Sequence, residues 1–361
     1  MSRKVYLHVG APKTGTTYLQ DRLTLNSAGL AEQGVHFPSR HALADPQLSQ
    51  FRAALDLLGQ DWGGPPGHAK GSWDALVRRV RRLDGTVVVS HETLGPAKPE
   101  AVRRALHDLR GSEVHLVYSA RDLGRQLPAA WQESVKQGRT WTYRRFQRRM
   151  VRGLPWFARA FDLPSVLGTW GADLPPERIH VVTVPHETGD LLWERFCDVL
   201  GIAPVWAPRD AERVNRSLGV AETQLLRRLN TRIDHATRRG ADFDELVRHM
   251  LADRMLANRR GTRLQLPPHL HPWAVSEADR WSEWITTRGV QVVGDLADLQ
   301  PGPAVVPEEF VDPAAVSAKA QLGAALDALT AMTVEAARRP DPDARFTAKV
   351  RGGLRARKER R

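Results

Sequence analysis

A short apolar run near the start of the chain leads into a glycine-bearing loop and then into the beginning of a helix. Residues 5–17 read VYLHVGAPKTGTT. The first five predict a buried strand, and the glycines and proline predict a tight turn before Thr16 and Thr17 open a helix. In this arrangement the N–H groups of the turn and the positive end of the helix dipole converge on an anion. The segment therefore predicts an α/β fold with an anion site beyond its first strand.

The loop follows the triphosphate-binding pattern G-x-x-x-x-G-K-[ST] with one exchange. Gly10, Gly15 and Thr17 keep their places in that pattern. Thr16 stands where the lysine belongs, and the lysine has moved into the loop as Lys13. The chain has eight lysines against forty-five arginines, so a lysine at this position is not background. This pattern favours a binding role for Lys13 over an ordinary turn with a solvated side chain.

Further apolar runs alternate with helical patterns along the first two thirds of the chain. Residues 86–90, 114–118 and 179–184 predict strands, and 290–295 predict a late strand or a loop. Residues 18–33 predict one continuous helix. Strands separated by helices predict a parallel sheet flanked by helices on both faces. In such a sheet ligands bind beyond the carboxyl ends of the strands.

The second half of the chain has a mainly helical pattern, and no linker divides it cleanly from the first half. We expect residues 1–310 to form a single α/β domain with its nucleotide-binding motifs in 5–136. Residues 311–361 are expected to form a helix followed by a basic tail. A tail of that composition is usually disordered.

Charge and cysteine content narrow the partners and the compartment. The net charge of +12 is carried almost entirely by arginine, which fits an anionic ligand, an anionic surface or a solvated basic exterior. Arginine excess also follows codon bias, so no nucleic-acid partner is expected. The single cysteine, Cys197, excludes an internal disulfide and a multi-cysteine metal site. No run has the length of a signal peptide or membrane span, so we expect a cytoplasmic protein whose basic tail could still contact a membrane peripherally.

Two more chemically competent groups fall just past predicted strand ends. Ser90-His91-Glu92 follows one strand, and Arg121 follows the next. A carboxylate or an imidazole can act as a general base. Adjacent strand residues face opposite ways, so we expect only one of His91 and Glu92 to reach the cleft. Glu92 lies one residue further past the strand end and is preferred, with His91 as the alternative.

Taken together, the Lys-Thr-Gly-Thr-Thr loop, the Ser-x-Glu element and the arginine at a strand end resemble the PAPS-dependent sulfotransferases. PAPS is 3′-phosphoadenosine 5′-phosphosulfate. The resemblance is specific over residues 5–136 and diffuse afterwards. It implies a P-loop NTPase-like sulfotransferase fold. It also implies transfer of a sulfuryl group from PAPS to a hydroxyl or amine of an unidentified acceptor, such as a carbohydrate, a glycolipid or other lipid-linked acceptor, or a natural product.

The same resemblance assigns roles to individual residues. Lys13 would contact the phosphosulfate bridge and Arg121 the 3′-phosphate. The 5′-phosphate would be held by the amides and hydroxyls of the loop, which are Thr14, Gly15, Thr16 and Thr17. The serine that the family places eight residues after the arginine is Ala129 here, and Arg125 or Gln126 could replace it. No metal is expected, because a sulfonate needs less charge neutralisation than a γ-phosphate.

Two other functions compete with this one. A P-loop kinase or NTPase needs a lysine before the final threonine and an acidic residue after a strand to organise Mg²⁺. Thr16 breaks the first requirement, whereas Asp122 could meet the second. A non-enzymatic basic module that binds polyanions would leave the loop, Glu92 and Arg121 unexplained as a set.

Overall fold

The protein contains a parallel sheet whose central strand leads into the glycine-bearing loop. The structure is a computed structural model that describes residues 3–41, 44–187, 189–212 and 217–339. Within these ranges the strands are β1 (Lys4–His8), β2 (Val35–His36), β3 (Thr86–Ser90), β4 (Glu113–Ala120), β5 (Ile179–Thr183) and β6 (Gln291–Val293). Their spatial order is β2-β3-β1-β4-β5-β6, and each neighbouring pair is parallel. The prediction of a parallel α/β sheet is confirmed.

Helices connect the strands and make up most of the second half of the chain, as predicted. The α-helices are α1 (Thr16–Leu25), α2 (Ser27–Glu32), α3 (Pro46–Leu57), α4 (Ser72–Val80), α5 (Pro99–Asp108), α6 (Leu123–Lys136), α7 (Tyr143–Val151), α8 (Trp156–Phe161), α9 (Leu163–Trp170), α10 (Leu191–Leu200), α11 (Val220–Arg232), α12 (Ala241–Phe243), α13 (His271–Arg288) and α14 (Ala318–Arg338). A π-helix, Asp244–Met255, continues directly from α12. Short 3₁₀ turns lie at Glu92–Leu94, Pro176–Arg178, Pro204–Trp206, Thr237–Arg239, Leu256–Asn258, Pro268–Leu270, Leu296–Leu299 and Pro313–Ala315. Among the described helices, none is both long and apolar enough to cross a lipid bilayer.

Both faces of the sheet are buried under helices. Alternate residues of a strand point to opposite faces, so a sheet covered on both sides needs apolar residues at nearly every position. Val5 and Leu7 of β1 belong to the larger core, which also holds Trp73 of α4 and Trp131 of α6. Tyr6 belongs to the smaller core under α1, α2 and α10. The two cores pack against opposite faces of β1 and so fix the direction in which the glycine-bearing loop leaves the sheet.

The helical second half is fastened to the sheet layer through α6. Asn230 of α11 donates from Nδ2 to the Val135 carbonyl at 2.7 Å. Lys136 Nζ lies 2.6 Å from Asp253 Oδ1 on the π-helix. α14 packs in turn on α11 and on the π-helix. The predicted tail beyond α14 lies outside the described residues, and the predicted domain boundary at 310/311 stays a prediction.

Some local predictions were wrong. Residues 18–33 form two helices rather than one, because the Asn26 amide donates to the carbonyls of Arg22 and Arg209, at 2.8 Å each. A partner so distant in sequence leaves no local signal. The two-residue strand β2 is too short to produce a periodic pattern and was not predicted. Residues 290–295, for which the sequence allowed a strand or a loop, supply β6.

Candidate functional site

The loop after β1 is fixed by backbone hydrogen bonds to both neighbouring strands. Ala11 N–H donates to the Ser119 carbonyl of β4 at 2.8 Å, and His91 N–H, just after β3, donates to the His8 carbonyl at 3.1 Å. An ideal Cβ built on Gly10 would lie 3.8 Å from the Cα of Glu92, so Glu92 borders the loop. The carboxyl ends of β1, β3 and β4 therefore bring the loop, the His91–Glu92 pair and Arg121 to one edge of the sheet.

Three loop residues, Gly10, Lys13 and Gly15, have positive φ angles. Gly15 has φ 93°, and a Cβ added there would lie 2.6 Å from Leu192 Cδ2, so the position requires glycine. Lys13 has φ 67°, which is uncommon for a residue with a side chain. Its conformation is held from both ends. Arg121 Nη1 donates to the Lys13 carbonyl at 3.0 Å, and Lys13 Nζ donates to Glu133 Oε2 at 2.6 Å.

The first turn of α1 has no side-chain cap. Its N-cap residue is Gly15, which has no side chain to accept from the first amides. The Thr14 hydroxyl is used within the loop and donates to the Ala11 carbonyl at 2.5 Å. Thr16 is buried and its hydroxyl points to the same carbonyl at 3.4 Å, whereas Thr17 is partly exposed. An anion at this helix start would therefore be bound mainly by backbone N–H groups and by Thr17.

Lys13 belongs to a cluster of charged side chains that the sequence did not predict. Glu133 of α6 accepts from Lys13, and its other oxygen accepts from Arg248 Nη2 of the π-helix at 3.1 Å. Burial disfavours the ionised carboxylate, but the positive charges of Lys13, Arg248 and Lys136 outweigh it and hold the pKa of Glu133 far below its ordinary value. Glu133 is therefore ionised and aims Lys13. Glu133 lies within residues 5–136, where the family resemblance is specific, but no role was predicted for it.

Arg121 lies in a cationic neighbourhood with unused hydrogen-bonding capacity. Its Nε is buried and has no hydrogen-bond partner among the described residues. Burial, together with the charges of Arg125 and Arg263, lowers the pKa of Arg121 to about 10 against the opposing effect of Asp122. A buried donor without a partner is costly unless a ligand supplies an acceptor. Arg121 therefore has the features of an anion-binding group.

The residues after Arg121 are engaged within the protein. Asp122 is fully buried and caps α6 by accepting from Arg125 N–H at 2.9 Å. Its second oxygen accepts from Arg125 Nε, while Arg125 Nη1 and Nη2 donate to the carbonyls of Pro185 and Val184 at 2.8 and 3.1 Å. Gln126 Nε2 donates to the Pro12 carbonyl at 2.8 Å. These contacts brace the loop and the end of β5, and they leave Arg125 and Gln126 fewer donors for a ligand than the sequence implied.

Arg263 reaches this edge from the helical half. Its segment is joined to the start of α11 by a bridge between Gly219 and Arg263, and Val220 N–H donates to the Thr262 carbonyl at 2.8 Å. The side chain is exposed, and its charge acts on Arg121. In the sequence, Arg263 is visible only as part of the basic run 259–263, which matches no recognisable binding motif. Only the packing of α11 against α6 brings that run to the sheet.

The two base candidates differ in their surroundings. Thr93 N–H donates to His91 Nδ1 at 3.3 Å, and Nδ1 also lies 2.9 Å from Thr93 Oγ1. Burial lowers the pKa of His91, although the nearby Glu92 charge opposes this. Glu92 is 28% exposed, and its carboxylate lies 4.0 Å from His91 Nδ1, beyond hydrogen-bond length. Glu92 has the more accessible proton-accepting atoms, because Nδ1 of His91 is used to cap the 3₁₀ turn.

A series of three contacting rings, those of His91, Phe51 and Trp62, extends to the surface. The ring of Phe51 on α3 lies 5.1 Å from His91 and 5.1 Å from Trp62, measured between centroids. Trp62 is 47% exposed and belongs to the glycine- and proline-rich loop 59–71. Asp61 braces this loop by accepting from Gly67 N–H at 2.5 Å. An exposed indole is thus fixed two ring contacts away from the candidate bases.

A comparison of the chain with protein-family models, with curated proteins and with solved structures finds no match. Within the described part of the chain, no group of three or more histidine, cysteine, aspartate or glutamate side chains is arranged to hold a metal ion.

Proposed function

We propose that this chain is a PAPS-dependent sulfotransferase with a P-loop-like sulfotransferase fold. The observation that carries the proposal is the pairing of two cationic subsites at adjacent strand ends. Lys13 follows β1, Arg121 follows β4, and Arg121 Nη1 donates to the Lys13 carbonyl at 3.0 Å. A nucleotide with a reactive 5′-phosphosulfate and a separate 3′-phosphate presents two anionic groups that fit these two subsites.

The loop side of the site suits the departing phosphate. Lys13 carries three ammonium N–H groups, and Glu133 accepts from one, so donors remain for the bridging oxygen. The uncapped amides at the start of α1 fit the 5′-phosphate. As the bond from sulfur to the bridging oxygen breaks, its electron pair stays on that oxygen, and Lys13 stabilises the growing negative charge. The leaving product is adenosine 3′,5′-bisphosphate.

The acceptor side is assigned to Glu92. The acceptor hydroxyl forms the new bond to sulfur while its proton passes to the Glu92 carboxylate. The partly exposed carboxylate beside Gly10 supports this role, as does the engagement of His91 Nδ1 with Thr93. The exposed face of Trp62 fits the acceptor, since an aromatic plane can stack against a sugar or another ring.

The kinase or NTPase alternative has less support. Asp122, the carboxylate that could organise Mg²⁺, is fully buried and both of its oxygens accept from Arg125. Thr16 is also buried and stands in place of the triphosphate-binding lysine. A polyanion-binding module would not account for the buried Nε of Arg121, which has no hydrogen-bond partner in the described part of the chain.

Calorimetry in EDTA tests the nucleotide assignment directly. Adenosine 3′,5′-bisphosphate is expected to bind at least about tenfold more tightly than ATP, because only the bisphosphate offers a 3′-phosphate to Arg121. Equal affinity for the two nucleotides, or binding that requires Mg²⁺, would favour the kinase-like function instead. Transfer of labelled sulfate from PAPS to fractionated cell extract then tests the activity and identifies the acceptor.

Substitutions separate the two subsites. Lys13→Ala should lower turnover by about 10²–10³-fold, because its contact strengthens in the transition state. Arg121→Ala should mainly weaken bisphosphate binding, by about tenfold or more, since the 3′-phosphate does not react. Arg103→Ala is the matched control, because Arg103 is a 65% exposed arginine of α5 and should affect neither quantity. Unchanged bisphosphate affinity in Arg121→Ala would refute the 3′-phosphate assignment.

A further inference from the structure

α14 turns its three leucines away from the protein. Leu322, Leu326 and Leu329 are 60%, 56% and 63% exposed. They are spaced by four and three residues, so they form one stripe along the helix. The buried face holds the small residues Ala324 and Ala328. An ordinary surface helix has the opposite arrangement, with its large apolar residues inward and its polar residues outward.

Few charges interrupt the outer face of this helix. Between residues 320 and 334 the only charged residue is Asp327. Asp327 forms an ion pair with Arg259, which also pairs with Glu222 of α11 at 2.8 Å. The acidic group of the segment therefore serves to dock α14 on the protein. The leucine stripe, named here for Leu322, Leu326 and Leu329, is a contiguous apolar patch of the kind that marks an interaction site.

The sequence after α14 indicates what covers the stripe. Residues 340–361 contain eight lysines and arginines and three acidic residues. An exposed apolar stripe and a basic segment that directly follows it in the sequence are the two signals that together hold a protein on an anionic lipid surface. A second copy of the chain would be repelled by an identical basic segment, whereas acidic headgroups attract it.

We propose that the leucine stripe is a docking surface for anionic membranes. The stripe enters the boundary between headgroups and acyl chains, and the basic sequence that follows α14 makes an anionic surface the favoured occupant. The opposite face of α14 stays packed on α11 and the π-helix, so docking needs no rearrangement of the fold. This inference is independent of the proposed sulfuryl transfer, although it would suit an acceptor carried by a lipid.

Vesicle co-sedimentation of the full chain tests this inference. The chain is expected to bind phosphatidylcholine vesicles that contain phosphatidylserine, to bind pure phosphatidylcholine at least about tenfold less, and to be released by salt. The triple variant Leu322→Ser/Leu326→Ser/Leu329→Ser should lower binding at low salt by about tenfold or more. Reversal of three basic residues, Arg355→Glu/Arg357→Glu/Lys358→Glu, should lower binding only to the phosphatidylserine vesicles.

Leu154→Ser is the matched control, because Leu154 is 54% exposed and lies in the connection between α7 and α8. It should bind vesicles like the wild type. Circular dichroism and the urea midpoint check that each variant is folded, and the three serine substitutions are also made singly. Absence of binding to phosphatidylserine vesicles would overturn the proposal. So would wild-type binding by the folded stripe variants, or a dimer in sedimentation equilibrium that the stripe substitutions dissociate.

Discussion

Individual residues at the sheet edge are held more firmly than their exposure suggests. Lys13 combines a left-handed backbone with an ion pair to Glu133 at 2.6 Å. Such a conformation costs free energy and persists only where surrounding contacts enforce it. Here the backbone carbonyl is fixed by Arg121 and the ammonium by Glu133. This arrangement pre-positions a cation, which favours a role in charge stabilisation over one in simple solvation.

The first residue-scale prediction separates Glu92 from His91. Glu92→Gln should lower turnover by about 10²–10⁴-fold while bisphosphate affinity survives, because only the proton acceptor is lost. His91→Asn should have a smaller effect, since Nδ1 already accepts from Thr93. Steady-state transfer rates and calorimetry measure the two quantities. A collapse of turnover in His91→Asn, with a rate that rises through a pKa near 6.5, would identify His91 as the base.

Glu133 gives a second prediction at this scale. Glu133→Gln removes the charge that holds Lys13, so turnover should fall by about ten- to a hundredfold through loss of alignment. Bisphosphate affinity should not fall, because a negative charge beside the loop has been removed. Lys136→Gln is the control, since it breaks the neighbouring ion pair between α6 and the π-helix without contacting Lys13. Equal losses of turnover in both variants would point to a general structural effect.

At the scale of elements, the site is assembled where three strands end and a loop from outside the sheet covers them. The loop 59–71 is rich in glycine and proline, yet it is held by the Asp61 hydrogen bond and by an edge-to-face contact between Trp62 and Phe51. Its position beside His91 depends on α3, which carries Phe51. The acceptor side of the proposed site is therefore built by the segment between β2 and β3 and not by the sheet itself.

This insertion leads to an element-scale prediction. Trp62→Ala should raise the KM for the acceptor by about tenfold and leave bisphosphate affinity unchanged, because the Trp62 ring packs on Phe51 and not on either cationic subsite. Trp62→Phe keeps an aromatic face and should retain most of the affinity. Labelled-sulfate transfer to the acceptor found in cell extract measures the effect. If Trp62→Ala had an unchanged acceptor KM, the acceptor would have to bind elsewhere on the edge.

At the scale of the whole molecule, one buried and one half-buried histidine link neighbouring strands in the neutral state. His8 lies between Ser90 and Ser119 at 2.8 and 3.0 Å, and burial lowers its pKa to about 4. His180 lies 2.9 Å from His115, and burial together with the His115 charge lowers its pKa to about 4. Both groups are neutral in the folded protein at neutral pH. Protonation of either would place a charge inside the sheet layers.

The lowered pKa values of His8 and His180 make the free energy of unfolding depend on pH. In the unfolded chain a histidine titrates near 6.5, so between about pH 6.5 and about 4 the unfolded state binds protons that the folded state excludes. Stability should be fully present above pH 6.5 and should fall as the pH drops, by on the order of 2 kcal/mol at pH 5 from His8 alone. Urea titrations at several pH values measure this. His180→Gln should flatten the dependence, whereas His107→Gln at an exposed site should not.

The sequence by itself determined much of the proposed nucleotide site. The spacing of residues 10–17, the apolar runs of the long strands and the groups directly after β3 and β4 are local features, and local periodicity is preserved in folding. These features correctly predicted the parallel sheet and its helical cover. The same features predicted that the loop, His91, Glu92 and Arg121 lie at one edge of the sheet. The sulfuryl-transfer chemistry assigned to that edge stays a prediction.

Only the tertiary structure decided which charges meet. Glu133, Arg248 and Arg263 are more than a hundred residues from the groups they act on, and nothing local specifies such pairs. The sequence likewise could not reveal that Arg125 is bound to Asp122 and to strand-end carbonyls, or that α14 turns its leucines outward. Both depend on how α6, α11 and the π-helix pack together. Local residue patterns fix the elements, whereas long-range packing fixes the direction in which each side chain faces and the charge it meets.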